Sequence, residues 1–137
     1  MNILNDIALT SLRMGSAAML LYFHGWKKLV GCFNYIIHAE PWAFIDTVEK
    51  LGFPIPGFLA VMAALTESIG ALFLLLGLYT RWIAPVITIM MLVAVYRHLT
   101  SDMRFEMAAL YFLVALLFAF VGGGKWSVDA LLQRQQP

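Results

Sequence analysis

The chain has 137 residues, of which 62% are hydrophobic and 12% charged, against roughly 45–50% apolar and about 25% charged in ordinary soluble domains. Its net charge of +1 gives no basic footprint able to neutralise many phosphates, which excludes nucleic acid as an expected partner. A single cysteine, Cys32, excludes an internal disulfide, a paired-thiol redox motif and a multi-thiolate metal site within one chain.

Four apolar stretches, at 7–30, 58–79, 82–99 and 105–121, come close to the roughly 20 residues that a helix rising 1.5 Å per residue needs to cross a bilayer core of about 30 Å. Peptide groups cannot stay unpaired in lipid, and these stretches are too long and continuous for barrel strands. The expected fold is therefore all-α: an integral membrane four-helix bundle, with a short interfacial helix in the first loop and a single domain over 1–137. No basic segment followed by a small-residue cleavage site opens the sequence, so the first apolar stretch is expected to remain as a helix.

In the first stretch, Arg13 and His24 are eleven residues apart, about three turns at 3.6 residues per turn, and so share one face. Lys28 continues that face one turn on. Arg13 lies inside the span, either snorkelling to the surface or facing inward to pair with Glu67. His24, with an ordinary pKa near 6.5, is either a proton carrier or an interfacial histidine hydrogen-bonded to a neighbouring helix.

The loop that follows places Trp42, Ile45 and Val48 at three-residue spacing beside Asp46, Glu49 and Lys50, the pattern of a short helix lying on the membrane. Gly52, Pro54, Pro56 and Gly57 then break it. The second stretch carries small residues that permit close helix approach, including Gly70 and Ala71. It also holds Glu67 near mid-span. A charge there costs roughly 2.5–3.5 kcal/mol on insertion scales, so Glu67 is either a packing carboxyl or a proton- or substrate-handling one.

Only Thr80 and Arg81 separate the second and third stretches, which forces a tight antiparallel hairpin, with Pro85 tolerated in the first turn of the next helix. The third stretch ends in Arg97 and His98. The fourth opens with Glu106, where a carboxylate suits the positive end of the helix dipole. Trp26, Trp82 and Trp126 fall near segment ends, at headgroup depth.

With successive loops on opposite faces, His24, Lys28, Arg97, His98 and Glu106 collect at one mouth of the bundle. The three histidines, His38 included, lack the i, i+4 spacing of a helical metal site, and no metal is expected. Orientation stays open: one side would hold Arg13, Arg81, Lys125 and Arg134, the other Lys27, Lys28, Lys50, Arg97 and Arg104.

Several short motifs recur in a fixed order: His24-Gly25-Trp26-Lys27-Lys28-Leu29; Gly52-Phe53-Pro54; Glu67 with Gly70-Ala71-Leu72, leading to Gly77-Leu78-Tyr79-Thr80-Arg81; and Gly124-Lys125-Trp126-Ser127-Val128-Asp129. Together, and with Arg13 and Glu106 in place, they resemble the DoxX family of small bacterial membrane proteins over nearly the whole chain. The resemblance implies a four-helix inner-membrane protein with both termini cytoplasmic. Its namesake relatives are membrane subunits of thiosulfate:quinone oxidoreductase, and others accompany redox or catechol and quinone detoxification systems.

Two functions follow as expectations. In the first, the chain is a redox membrane subunit: His24 and Glu67 exchange protons with a quinone, while Arg13, Lys28, Arg81, His98 and Glu106 bind or orient it or a small phenolic or anionic substrate. Because no haem or flavin motif is present, electrons would come from a partner redox subunit or a direct donor. In the second, it is a non-enzymatic scaffold or small-molecule carrier in the lipid membrane, with its charges fixing helix packing and its polar mouth docking a partner. A homo-oligomer is compatible with either.

Overall fold

The computed structural model describes residues 3–134. From Ile3 the chain stays helical through His38 (α1, 3–38), including one wider π-helical turn at Leu20–Gly25. Ala39, left-handed at φ 52°, ends it, and Pro41 lies beyond. A short helix, α2 (Ala43–Glu49), follows, and Gly52 at φ +76° turns the chain away from it. Pro56, whose fixed φ suits the first helical position, opens α3 (Pro56–Leu76), which contains a second π-helical turn at Thr66–Gly70. Then come α4 (Thr80–Ser101), α5 (Glu106–Val121) and α6 (Val128–Arg134).

The expected bundle of four spanning helices is thus corrected to six helices among the described residues, with no strand. Only two, Pro56–Leu76 and Thr80–Ser101, are long and apolar enough to cross a membrane. The reasons are physical. α1 outlasts its apolar run and carries Asp6, Arg13, Lys27 and Lys28 along its length. α5 has 16 residues, about 24 Å at 1.5 Å per residue, short of a bilayer core of about 30 Å. α6 occupies a segment read in sequence only as a closing motif.

Small side chains set the packing. Ala17, Ala71, Ala84 and Ala115 are all essentially inaccessible and, with Leu20, Leu74, Ile87, Met91, Tyr111 and Phe118, form the core. Alanines at helix crossings allow backbones to approach, the means by which helices associate when lipid offers no hydrophobic drive. The exterior is as apolar as the interior: Trp82 and Phe120 are each 78% exposed and Tyr22 74%. Apolar cover on this scale fits contact with acyl chains and not with water.

At one pole the α3–α4 turn is clamped. Gly77 (φ +68°) ends α3 with a Schellman arrangement, its N–H donating to Leu74 O at 3.1 Å and that of Leu78 to Phe73 O at 2.9 Å. The Asp129 carboxylate accepts the backbone N–H groups of Tyr79 and Thr80 at 2.7 and 2.9 Å, so a side chain from α6 caps the start of α4. Lys125 pairs with the buried Asp6 at 2.8 Å, which brings the two ends of the described chain to the same pole.

A Cβ at Gly77 would press on the Arg13 guanidinium and on Ser127, whereas one at Gly15 would meet nothing within 4 Å. Gly77→Ala is therefore expected to destabilise the protein by more than about 1 kcal/mol, and Gly15→Ala to be neutral or stabilising by about 0.5 kcal/mol. Thermal unfolding in detergent, followed by circular dichroism, checks the contrast; equal melting points would refute it.

Candidate functional site

Both π-helical turns occur at the same level and face each other. Gly25 closes the one in α1, and a Cβ there would collide with the Glu67 carbonyl in the other, so only glycine allows this approach. A π turn inserts one residue per turn and re-aims the side chains beside it, which is why such turns gather at functional sites. Here the re-aimed residues are His24 and Glu67.

These two side chains line a cavity of about 650 Å³ whose wall also includes Lys28, Thr47, Arg97, His98, Arg104 and Tyr111, with apolar side chains for the rest. The volume falls within the range of about 300–1,000 Å³ usual for small-molecule sites. Lys28 Nζ donates to Glu67 Oε1 at 2.5 Å, joining α1 to α3. The Glu67 side chain is 6% exposed and that of Lys28 24%, so the pair is sheltered and each charge depends on the other.

The same ammonium lies 4.5 Å from the centre of the Phe44 ring, a cation–π contact that ties α2 to the pair. Phe44, Thr47 and Val48 of α2 form one wall of the cavity. The His24 ring stands edge-on to Tyr111 of α5, with ring centres 5.7 Å apart.

At the rim, His98 Nδ1 lies 2.8 Å from Asp102 Oδ1, and Arg97 Nη1 lies 3.4 Å from His98 Nε2. Asp102 also accepts the backbone N–H of Arg104 at 3.1 Å. The hydrogen bond from His98, then that of the Arg104 amide, holds the Asp102 carboxyl below its ordinary pKa.

Of the residues singled out in sequence, His24, Glu67, Lys28, Arg97 and His98 come together here. Arg13, Arg81 and Glu106 do not. Arg13 is 1% exposed. It donates through Nη1 to the carbonyls of Leu74 and Leu75 and through Nη2 to that of Trp126, each at 2.8 Å. It neither snorkels nor pairs with Glu67.

The last carbonyls of α3 lie at the negative end of a helix dipole with acceptor capacity left over, Leu74 O accepting the Gly77 N–H as well, and a planar guanidinium satisfies several at once. Gly25, which touches Glu67, is twelve residues along α1 from Arg13, about 18 Å away at 1.5 Å per residue. Arg81 lies at that opposite pole, in a groove with Lys125 and Asp129. Glu106 is the exposed first residue of α5 and is not part of the cavity wall. His38 ends α1, exposed, with its ring edge-on to Phe33.

Sequence reading overlooked Phe44, Arg104 and Tyr111 as site residues. A hydroxyl-bearing ring in an otherwise apolar span was the available signal for Tyr111. Phe44 and Arg104 had none, because each acts through where its segment folds. No group of three His, Cys, Asp or Glu side chains able to hold a metal occurs among the described residues.

Residues 8–100 match the family described as DoxX. No curated protein and no solved structure matches the chain.

The geometry makes Lys28 and Glu67 interdependent for stability. Lys28→Met alone leaves a buried carboxylate unpaired and is expected to destabilise by up to about 3 kcal/mol, most of which the Lys28→Met/Glu67→Gln double variant should recover. Melting temperatures of the wild type, the Lys28→Met and Glu67→Gln single variants and the double variant in detergent give the coupling directly. Additive effects of the two single substitutions would mean that the charges do not depend on each other.

Proposed function

The chain belongs to the DoxX family, and from that premise we propose that it is a membrane component of a quinone-linked redox or detoxification system, in the bacterial inner membrane, whose cavity takes a quinone or small phenolic ring. One observation carries this reading: a sheltered Lys28–Glu67 pair and the His24 imidazole share one predominantly apolar cavity of about 650 Å³. An apolar wall with a few converging polar groups is the pattern that binds and orients flat, weakly polar ligands.

The residues present suit such a ring. Lys28 has donors beyond the one given to Glu67, so its ammonium can also donate to a ring oxygen. Glu67 holds that ammonium in place. His24 offers a ring nitrogen that can donate or accept a proton beside the ligand. The Phe44 and Tyr111 rings offer flat apolar surface. A quinone supplies a two-electron couple whose oxygens take up protons on reduction, and a partner subunit would be the electron source.

The scaffold or carrier alternative has its own support. Arg13 and Asp129 tie separate helices together through hydrogen bonds to backbone groups, and Lys28–Glu67 also joins two helices, through an ion pair between side chains. The readings diverge in binding. In neutral-lipid nanodiscs, the protein is expected to bind a short-chain quinone analogue saturably, with His24→Ala and Glu67→Gln each weakening binding about tenfold, or ~1.4 kcal/mol. A folded wild-type protein that leaves the analogue in the lipid phase would sink the quinone reading in favour of the scaffold.

A further inference from the structure

Arg97 and Arg104 line the cavity, yet among the described residues neither guanidinium forms an ion pair with a carboxylate. The carboxylate beside them, Asp102, is engaged by the His98 ring and by the Arg104 backbone N–H. Deeper in, Lys28 is already matched by Glu67. The rim therefore carries two guanidiniums and one carboxylate, Asp102, which acts on Arg97 only through space and pairs with neither, so positive charge is in excess there. Beneath them the wall is apolar, with Leu20, Leu59, Ala63 and Met91 among its residues.

A positive rim over an apolar depth has a chemical complement. The head of the ligand must be anionic, because guanidiniums bind carboxylates and phosphates through paired, charge-assisted hydrogen bonds. Its body must be hydrocarbon, because an apolar wall has nothing to offer a hydrated solute. We propose that the cavity binds an anionic amphiphile, a long-chain carboxylate or an acidic phospholipid, with its head on Arg97 and Arg104 and its chain between α2, α3 and α4.

This goes beyond the ring-binding reading, since a neutral quinone has no use for the two rim charges. It also differs from simple anchoring, in which arginines near a helix end touch bulk headgroups. Anchoring gives no saturation and no competition between ligands.

The test uses the full chain in phosphatidylcholine nanodiscs, with 11-(dansylamino)undecanoate as fluorescent probe. Saturable binding is expected, weakened about tenfold or more, ~1.4 kcal/mol, by Arg97→Gln/Arg104→Gln and largely restored by Arg97→Lys/Arg104→Lys. Oleate displacing the probe would identify a free carboxylate as the ligand source, and phosphatidylglycerol built into the disc displacing it would identify the lipid; either supports the proposal. A probe that never saturates, or that binds the glutamine double variant as tightly as wild type, overturns it. The neutral quinone analogue separates the two readings. If it binds while the carboxylate probe does not, only the amphiphile inference falls; if the probe binds and the analogue does not, only the ring reading falls.

Discussion

The backbone of α1 at Gly25 rests on the backbone of α3 at Glu67, and the cavity wall is built around that contact. A side chain at Gly25 would occupy the space of the Glu67 carbonyl. Because the helices meet so closely, Lys28, one turn further along α1, reaches the Glu67 carboxylate. The π turns on each side of the contact swing His24 and Glu67 toward the same space. Close approach, charge pairing and cavity are three consequences of one missing Cβ.

The opposite pole shows why the polar residues of such a protein cannot be treated alike. Arg13 is more deeply buried than Lys28 or Glu67, yet its described hydrogen bonds go to main-chain carbonyls, at the end of α3 and at Trp126. Asp129 likewise accepts the amides that open α4. In an environment without water, helix ends need internal partners, and these two side chains supply them. Lys28 and Glu67 instead satisfy each other on the wall of the cavity, which leaves Lys28 donors to offer a ligand.

α2 links the site to the surface. Trp42 packs against Gly31 of α1, Phe44 lies over the Lys28 ammonium, and Val48 is buried. This short helix is held by one cation–π contact and by apolar packing on α1 and on the start of α3. Arg97, His98 and Arg104 line the same cavity.

The amino-acid sequence determined that the chain is all-helical, largely apolar and membrane-associated, because composition and the length of apolar runs act locally. It also marked His24, Lys28, Glu67 and His98, since ionisable groups in apolar helices stand out one residue at a time. The number of helices escaped it: apolar runs end where polar residues begin, whereas α1 continues to His38 and α6 forms within a polar tail. Only the tertiary structure decided that Arg13 serves the end of α3, that Arg81 and Glu106 lie away from the cavity, and that Tyr111, Phe44 and Arg104 belong to it. Those assignments depend on which helix faces which and on two π turns that shift the register of side chains, and neither quantity is written in hydropathy or spacing.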